Sequence, residues 1–256
     1  MHREVDYERE SNSMDRFRER LKDDSRFIIP KVYPQYSTEH VLAMSYEPGY
    51  PVNHPKVQKI CQERRNKLGA SLLELFLLEV FEWGELQTDP NFGNFYVRPA
   101  ESDRGKDRIV LLDFGAVEAY PNSFMNPLRN MIRAAYKGNA EKVEEGSIKL
   151  GFMKSSYPRM VRRSFAEACI ELVEPLTSEQ RDLPEHMINE DGQYCWRASE
   201  LPLRIGKLAA KAPFAPYFAI PPREFVFLSR KLAGVYTMIA VLDSQFNGGP
   251  VFKKFL

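Results

Sequence analysis

Two short polar stretches on either side of a predicted β-hairpin constrain the fold more than any other feature of the chain. Residues 87–94 read Gln-Thr-Asp-Pro-Asn-Phe-Gly-Asn, which places Asp89 and Asn94 five residues apart in a polar turn. Residues 113–115 read Asp-Phe-Gly and directly follow the apolar segment 109–112, which predicts a buried strand. The pattern therefore predicts two polar turns that are joined through one hairpin.

Asp89, Asn94 and Asp113 are the three side chains that phosphoryl transfer on a kinase-like scaffold requires. A carboxylate such as Asp89 orients the attacking hydroxyl or water, and Pro90 restricts the backbone directly after it. Asn94 and Asp113 carry hard oxygen ligands of the kind that hold magnesium against a triphosphate. Taken singly, these residues also fit a helix cap, a turn and a hairpin end. Their combination at these spacings predicts a magnesium–triphosphate site with Asp89 as its catalytic residue.

Composition limits the classes of protein to which the chain can belong. Its 256 residues, 43% of them hydrophobic, suffice to bury a core as one large domain or two lobes. A formal net charge of +1 gives no indication of a nucleic-acid partner, which a basic excess would show. Cys61, Cys169 and Cys195 are odd in number and far apart, which argues against a disulfide framework or a zinc site. No stretch reaches the roughly 20 apolar residues of a membrane span, so no transmembrane segment is expected, whereas peripheral membrane contact stays open.

The N-terminal segment, residues 3–22, predicts a helix with an inward-facing carboxylate. Tyr7, Met14 and Phe17 recur at helical spacing and form an apolar stripe, on which Glu10 also lies. A carboxylate that faces a core is destabilising unless it is paired. Glu10 is therefore expected to need a cation that this helix does not itself supply.

A change of pattern near residue 44 predicts two parts of an α+β fold. Residues 27–32 and 40–44 predict short strands, and the Pro48-Gly49 pair after them interrupts regular structure. Residues 1–44 are therefore interpreted as a small lobe of one helix and strands. Residues 45–256 are interpreted as a larger, mostly helical lobe.

The larger lobe is predicted to be helical apart from the hairpin. Residues 95–97 and 109–112 predict its paired strands, and Gly84 is a helix stop signal. The predicted helices are residues 55–83, 126–136, 140–150, 159–173 and 223–242.

These motifs resemble the AarF and UbiB family of atypical kinases, which supports ubiquinone biosynthesis. The resemblance rests on Gln-Thr-Asp-Pro-Asn-Phe-x-Asn-Phe at 87–95, Val-Leu-Leu-Asp-Phe-Gly-Ala at 110–116 and a Glu-x-Asp motif at 4–6. Arg-Lys-Leu-Ala-Gly at 230–234, shortly after two prolines, also fits. The resemblance implies a protein-kinase-like fold with a truncated small lobe, of which residues 1–44 are the remnant, and a helical large lobe.

Roles for individual residues follow from the same resemblance. Asp89 corresponds to the catalytic-loop aspartate, and Asn94 and Asp113 correspond to ligands of Mg²⁺, with ATP as the nucleotide. Glu10 corresponds to the helix glutamate that pairs with a strand lysine. Gln87 and Thr88 stand where ordinary protein kinases have His-Arg, which supports the atypical branch.

The resemblance also implies contacts that hold the nucleotide. Glu4 and Asp6 would help to hold the family's accessory Lys-x-Gly-Gln helix over the nucleotide site. Four consecutive residues would contact adenine through their backbone: Met44, Ser45, Tyr46 and Glu47.

The chain departs from the family pattern at its N-terminus. In the family, a nucleotide-covering loop, a strand lysine and the Lys-x-Gly-Gln segment precede the position of Glu4. No lysine precedes Glu10 in this chain, and Lys31 is a poor substitute because it follows the helix. The chain is therefore expected to be a fragment of a longer protein rather than a complete but impaired kinase homologue.

The resulting functional hypothesis is a magnesium- and ATP-dependent atypical kinase or ATPase that supports isoprenoid-quinone biosynthesis. Its expected partners are the nucleotide and an isoprenoid lipid or quinone-biosynthesis proteins. Its expected location is the cytoplasm or a membrane surface in a bacterium, and mitochondria or plastids in a eukaryote. Two alternatives stay open: an inactive pseudokinase that binds lipid or partner proteins, and a phosphotransferase of the aminoglycoside or choline kinase type. The latter class commonly has His-Gly where this chain has Gln87-Thr88.

Overall fold

The structure, a computed structural model, describes residues 6–102, 105–218 and 223–256. In these ranges short strands and helices alternate in the first half of the chain, and helices dominate the second half. The strands are β1 (Phe27–Ile28), β2 (Tyr50–Pro51), β3 (Glu85–Gln87), β4 (Phe95–Arg98), β5 (Arg108–Leu111) and β6 (Val117–Ala119). The α-helices are α1 (Tyr7–Arg20), α2 (Pro55–Gln58), α3 (Gln62–Leu78), α4 (Asn122–Tyr136), α5 (Ala140–Lys149), α6 (Arg159–Leu172), α7 (Leu201–Lys211), α8 (Arg223–Val241) and α9 (Gly249–Phe252).

The predicted hairpin is confirmed. Strands β4 and β5 pair antiparallel, with Phe95 opposite Leu111 and Val97 opposite Ile109. They form the centre of a four-stranded sheet in the order β1-β5-β4-β2, in which β1 runs parallel to β5. Phe95 and Val97 are buried while their neighbours in β4 are not, so this strand shows the alternation of a half-buried sheet. A separate antiparallel pair, β3 with β6, joins the segments before Asp89 and after Asp113.

The strands before residue 45 are less regular than the sequence predicts. The predicted strand 27–32 shortens to β1, and the predicted strand 40–44 reduces to isolated bridges, one of which joins Val32 to Met44. Pro30 and Pro34 cannot donate hydrogen bonds to a ladder, which explains why pairing is interrupted here. The division of the chain at residue 44 stays a prediction.

Helix α1 carries the predicted apolar stripe. Met14 and Phe17 are fully buried, and the Phe17 ring packs 5.1 Å from that of Phe114, centroid to centroid. The Asp6 side chain caps the helix by accepting a hydrogen bond of 2.9 Å from the amide of Arg9. The contact between Phe17 and Phe114 packs the helix against the turn that follows β5.

Helix α3 crosses the core and ends where the sequence predicts. Its last turn continues as a π-helix, Glu79–Trp83, and Gly84 stops it with a left-handed φ of 64°. Strand β3 begins directly afterwards and leads into the turn that contains Asp89.

Among the C-terminal helices, α8 and α9 pack against α3. Helices α4 and α5 pack against each other across a short turn at Gly138, as predicted, and α8 packs against α3. Helix α7 has no counterpart among the predicted elements. Among the described residues, no helix combines the length and the apolar character that crossing a membrane requires.

Candidate functional site

The turn that contains Asp89 is tied to the segment after Asp113 by hydrogen bonds. The amide and the hydroxyl of Thr88 both donate to the carbonyl of Ala116, at 3.0 and 2.7 Å. The Gln87 amide nitrogen Nε2 donates to the carbonyl of Asp89 at 2.8 Å, and at 3.4 Å to that of Asp113. These bonds position the two aspartates at one cleft.

Both carboxylate oxygens of Asp89 are engaged. A one-turn 3₁₀ helix, Phe92–Asn94, returns the chain so that Asn94 Nδ2 donates to Asp89 Oδ2 at 3.0 Å. The other oxygen, Oδ1, pairs with the guanidinium of Arg230 from α8. The structure thus brings Asp89 and Asn94 together and adds an arginine for which no role was predicted.

Asp113 is oriented by the turn that follows it. Its Oδ1 accepts a hydrogen bond of 2.9 Å from the amide of Gly115. The next side chain, Phe114, is 2% exposed and packs against α1, so the turn cannot rotate freely. The amide of Phe114 donates to Glu10 Oε1 at 3.2 Å, which links the α1 carboxylate to the same turn.

Glu10 faces inward, as its place on the apolar stripe predicts. Burial raises the pKa of Glu10; the hydrogen bond from the amide of Phe114 opposes this rise, and the negative charge of Asp113 adds to it. No lysine or arginine of the described residues forms an ion pair with Glu10. The described residues therefore do not supply the cation that Glu10 is expected to need.

The donor set of the site fits magnesium. Among the described residues, nothing donates a hydrogen bond to Asn94 Oδ1 or to Asp113 Oδ2, and both are hard oxygen ligands. The same part of the chain contains no group of three or more His, Cys, Asp or Glu side chains that could hold a metal ion. Mg²⁺ commonly takes one or two protein ligands together with substrate phosphates and water, so this sparse set is compatible with it.

A cleft of about 960 Å³ contains the two aspartates. Glu10, Asp89 and Asp113 line it together with Met44. The wall on the side of Asp89 comes from α8, which contributes Arg223, Phe227 and Arg230. Asn94 does not line the cleft itself, but its side chain donates a hydrogen bond to Asp89, which does.

The remaining residues with predicted nucleotide contacts do not line the cleft or fall outside the described residues. Ser45, Tyr46 and Glu47 do not line it. The amide of Ser45 donates to the carbonyl of Lys31 at 2.8 Å, and Tyr46 is 88% exposed. Glu47 pairs with Arg98 at 2.6 Å. Asp6 caps α1, and Glu4 falls outside the described residues.

Helix α8 is anchored directly beside the turn that contains Asp89. Lys231 and Glu79 form an ion pair of 2.8 Å, and each side chain is 1% exposed. The backbone of Gln87 helps to lower the pKa of Glu79, so the pair lies close to the segment before Asp89. A Cβ atom on Gly234 would lie 2.1 Å from Cβ of Pro90, which shows how closely the helix and the loop approach.

Sequence reasoning did not identify the contribution of α8 to the site. One signal was present for Glu79, which is a charge between apolar neighbours of α3, whereas Lys231 directly follows Arg230 in the sequence. Because a buried charge requires a partner, Glu79 suggests that a cation lies beside it, but the pattern does not say which one. Nothing comparable indicates Arg230, which lies 141 residues from Asp89 in the chain.

Comparison with known proteins gives consistent results. The model of the ABC1 atypical kinase-like domain matches residues 1–147. The chain is 32% identical over 255 residues to the mitochondrial atypical kinase coq-8 of Caenorhabditis elegans, covering 98% of this chain and 31% of that protein. It is 31% identical over 250 residues to the mitochondrial atypical kinase COQ8B of Rattus norvegicus, covering 98% of this chain and 44% of that protein.

A solved structure shares the fold. The complex of Rv3197 with erythromycin from Mycobacterium tuberculosis superposes with a TM-score of 0.72 at 21% identity, over 99% of this chain and 58% of that one. The chain thus spans less than half of each of these two curated relatives and somewhat more than half of the solved neighbour.

Proposed function

The chain belongs to the ABC1 atypical kinase-like family, and we propose that it is part of a kinase or ATPase of the UbiB type. It provides the catalytic loop and the metal ligands of this magnesium- and ATP-dependent enzyme. The observation that carries the proposal is the convergence of Asp89 and Asp113 on one cleft, with Asn94 bonded to Asp89. This is the set of groups that phosphoryl transfer requires.

Asp89 is the residue that orients the acceptor hydroxyl or water and accepts its proton. Asn94 and Asp113 hold magnesium through the amide and carboxylate oxygens that accept no hydrogen bond from the described residues. Bound magnesium neutralises charge on the phosphates of ATP. Gln87 and Thr88 keep the loop in place through their hydrogen bonds to the segment around Asp113.

The nucleotide end of the cleft is proposed to lie beside Met44 and Glu10. Met44 lines the cleft, and backbone groups of Met44, Ser45, Tyr46 and Glu47 are proposed to contact adenine. Glu10 is proposed to bind a lysine contributed from outside the described residues, since it is inward-facing and has no cationic partner among them. Glu4 and Asp6 are proposed to support the family's accessory helix.

The biological setting is proposed to be isoprenoid-quinone biosynthesis, with an isoprenoid lipid or quinone-biosynthesis proteins as partners. The motif resemblance supports this proposal, and the two curated relatives are mitochondrial proteins. Peripheral contact with a membrane is compatible with the absence of a membrane-spanning helix among the described residues.

Thermal unfolding with ATP, with and without magnesium, tests the enzymatic proposal. A ligand at about 100 times its Kd stabilises a fold by roughly 2.7 kcal/mol, which corresponds to a rise in Tm of about 5–10 °C for a chain of this size. The wild type is expected to show this rise only with magnesium, and Asp113→Asn is expected to lose it. Asp191→Asn, a change of the same type at an exposed position, serves as the control and is expected to keep it. An equal rise in wild type and Asp113→Asn would refute the assigned metal ligand.

A pseudokinase is the second candidate because both oxygens of Asp89 are engaged in this structure. On that proposal the cleft binds no nucleotide, and lipid or partner proteins bind elsewhere on the chain. The absence of a magnesium-dependent rise in Tm for the folded wild type would favour it.

A further inference from the structure

Helix α8 holds one residue at a defined place beside the catalytic aspartate. Gly234 contacts Pro90, and Lys231 is bound to Glu79 in the protein interior. These two contacts lie within the four residues that follow Arg230 and hold this part of the helix against the turn that contains Asp89. The position of Arg230 beside Asp89 therefore follows from buried packing and not from a surface contact alone.

The face of α8 that lines the cleft is cationic. Arg223, Phe227 and Arg230 follow one another at spacings of four and three residues, which places them on one side of a helix. The guanidinium of Arg223 lies 5.0 Å from the centre of the Phe227 ring and pairs with Glu118 at 2.9 Å. Arg230 is the member of this face that reaches the catalytic aspartate.

The pair between Arg230 and Asp89 is exchangeable. The Arg230 side chain is 57% exposed, in contrast to the 1% of its neighbour Lys231. Exposed ion pairs contribute little to stability because water screens them and the long side chain loses freedom. Arg230 thus combines a backbone held by buried contacts with a solvent-exposed cationic end.

The pairing also crowds Asp89. Asn94 donates to Asp89 Oδ2 and Arg230 to Oδ1, so an acceptor hydroxyl would have to share an oxygen with one of these donors. Departure of one donor would leave an oxygen wholly to the acceptor. Arg230 is the more exposed of the two, and a triphosphate in the same cleft would offer it a denser negative charge than one carboxylate.

We propose that Arg230 is a phosphate-binding residue, which leaves Asp89 and binds the γ-phosphate when a magnesium nucleoside triphosphate occupies the cleft. This inference rests on the function proposed above. A planar guanidinium binds phosphate through two parallel hydrogen bonds and stabilises the charge that develops during transfer. Its departure frees Asp89 Oδ1 for the acceptor.

The exchange couples binding of the nucleotide to activation of the base. The acceptor oxygen forms a bond to the γ-phosphorus, and the bond from that phosphorus to the bridging oxygen breaks. ADP leaves with the electron pair of the broken bond, and the acceptor proton passes to Asp89. Arg230 is not consumed in this step.

Comparison of ATP with ADP isolates the γ-phosphate. Calorimetric titration of magnesium-ATP and magnesium-ADP is performed on wild type, Arg230→Gln and Arg230→Lys. We expect Arg230→Gln to weaken ATP binding by about tenfold to a hundredfold, the range of a charged hydrogen bond, and to change ADP binding less than about twofold. Arg230→Lys is expected to restore part of the ATP affinity because it keeps the charge but not the planar geometry.

Arg163→Gln is the matched control, since Arg163 is also exposed and paired, at 3.0 Å with Glu167, on a helix that does not line the cleft. It is expected to bind both nucleotides as the wild type does.

If Arg230→Gln bound ATP and ADP with the wild-type ratio of affinities, the inference would fail while the proposed function stood. A higher ATP affinity or turnover in Arg230→Gln would show that Arg230 only blocks Asp89, which also overturns the inference. If the wild type bound neither nucleotide, the proposed function would fail together with it.

Discussion

The ion pair between Lys231 and Glu79 allows a quantitative test of how α8 is held. Both side chains are 1% exposed, and Nζ lies 2.8 Å from Oε2. Replacing Lys231 with Met removes one charge and leaves the other buried without its counter-ion. We expect this variant to be destabilised by about 3–5 kcal/mol.

The magnitude follows from opposing electrostatic effects. At an effective dielectric constant of about 20, two unit charges separated by the observed 2.8 Å attract each other by about 6 kcal/mol. Burial of the two ions costs several kcal/mol each, so the intact pair contributes little net stability. Removal of Lys231 abolishes the attraction but retains the cost of burying Glu79, and the balance becomes strongly unfavourable.

The effect of Lys231→Met should also depend on pH. Burial raises the pKa of Glu79 to about 7, and Lys231 opposes that rise. Because the pKa of Glu79 is raised in the folded state, this group contributes stability to the fold below its ordinary pKa of 4.5. The contribution is lost as pH rises through about 7. Because Lys231→Met removes the cation that lowers this pKa, the loss should extend to higher pH. The difference in stability between variant and wild type is therefore expected to widen from pH 5 to pH 8.

Urea unfolding of Lys231→Met, Glu79→Gln and the double variant measures these effects. The double variant is expected to lie within about 1 kcal/mol of the wild type, because neither buried charge is then left alone. Lys67→Met is the matched control, since Lys67 forms a pair of similar length, 2.6 Å with Glu63, on the surface. No measurable change in stability is expected there. Additive single effects, or a Lys231→Met variant within about 1 kcal/mol of wild type, would refute the buried-pair argument.

Two further predictions concern packing and cysteine reactivity. Gly234→Ala is expected to destabilise the fold by about 1–3 kcal/mol in thermal unfolding, because its Cβ would lie 2.1 Å from that of Pro90. Gly206→Ala in α7, where nothing lies within 4 Å, should instead stabilise by about 0.5–1 kcal/mol, and the same sign at both positions would contradict the contact. Cys61 is exposed, whereas burial raises the pKa of Cys169 to about 12, so a thiol reagent at pH 8 should modify Cys61 first. Equal rates for the two cysteines would contradict the burial of Cys169.

Much of the fold was predictable because its signals are local. The apolar segment 109–112, the stop signal at Gly84 and the turn at Gly138 each determine their element through a few neighbouring residues. The α+β, protein-kinase-like fold class is confirmed by the same elements and by the structural neighbour. The strands before residue 45 were harder to predict because Pro30 interrupts hydrogen bonding inside the segment 27–32, whose side chains suit a strand.

Helix α7 escaped prediction for a different reason. Pro202 and Gly206 interrupt its pattern, and each is a residue that ordinarily lowers helix content. Pro202 lies in the first turn, where its missing N–H costs nothing. The element is stabilised by packing against α6 and α8, which the local pattern does not show.

The candidate site shows where sequence reasoning reaches its physical limit. Asp89 and Asn94 are close in sequence, so turn geometry alone predicts their contact. Arg230 and Lys231 lie 141 and 152 residues from their partners, and such distances are closed only by the packing of α8 on α3. A charge pattern can suggest that Glu79 needs a buried partner, since isolation would be strongly destabilising. An exposed arginine has no such requirement, and its role follows only from the aspartate that the fold places beside it.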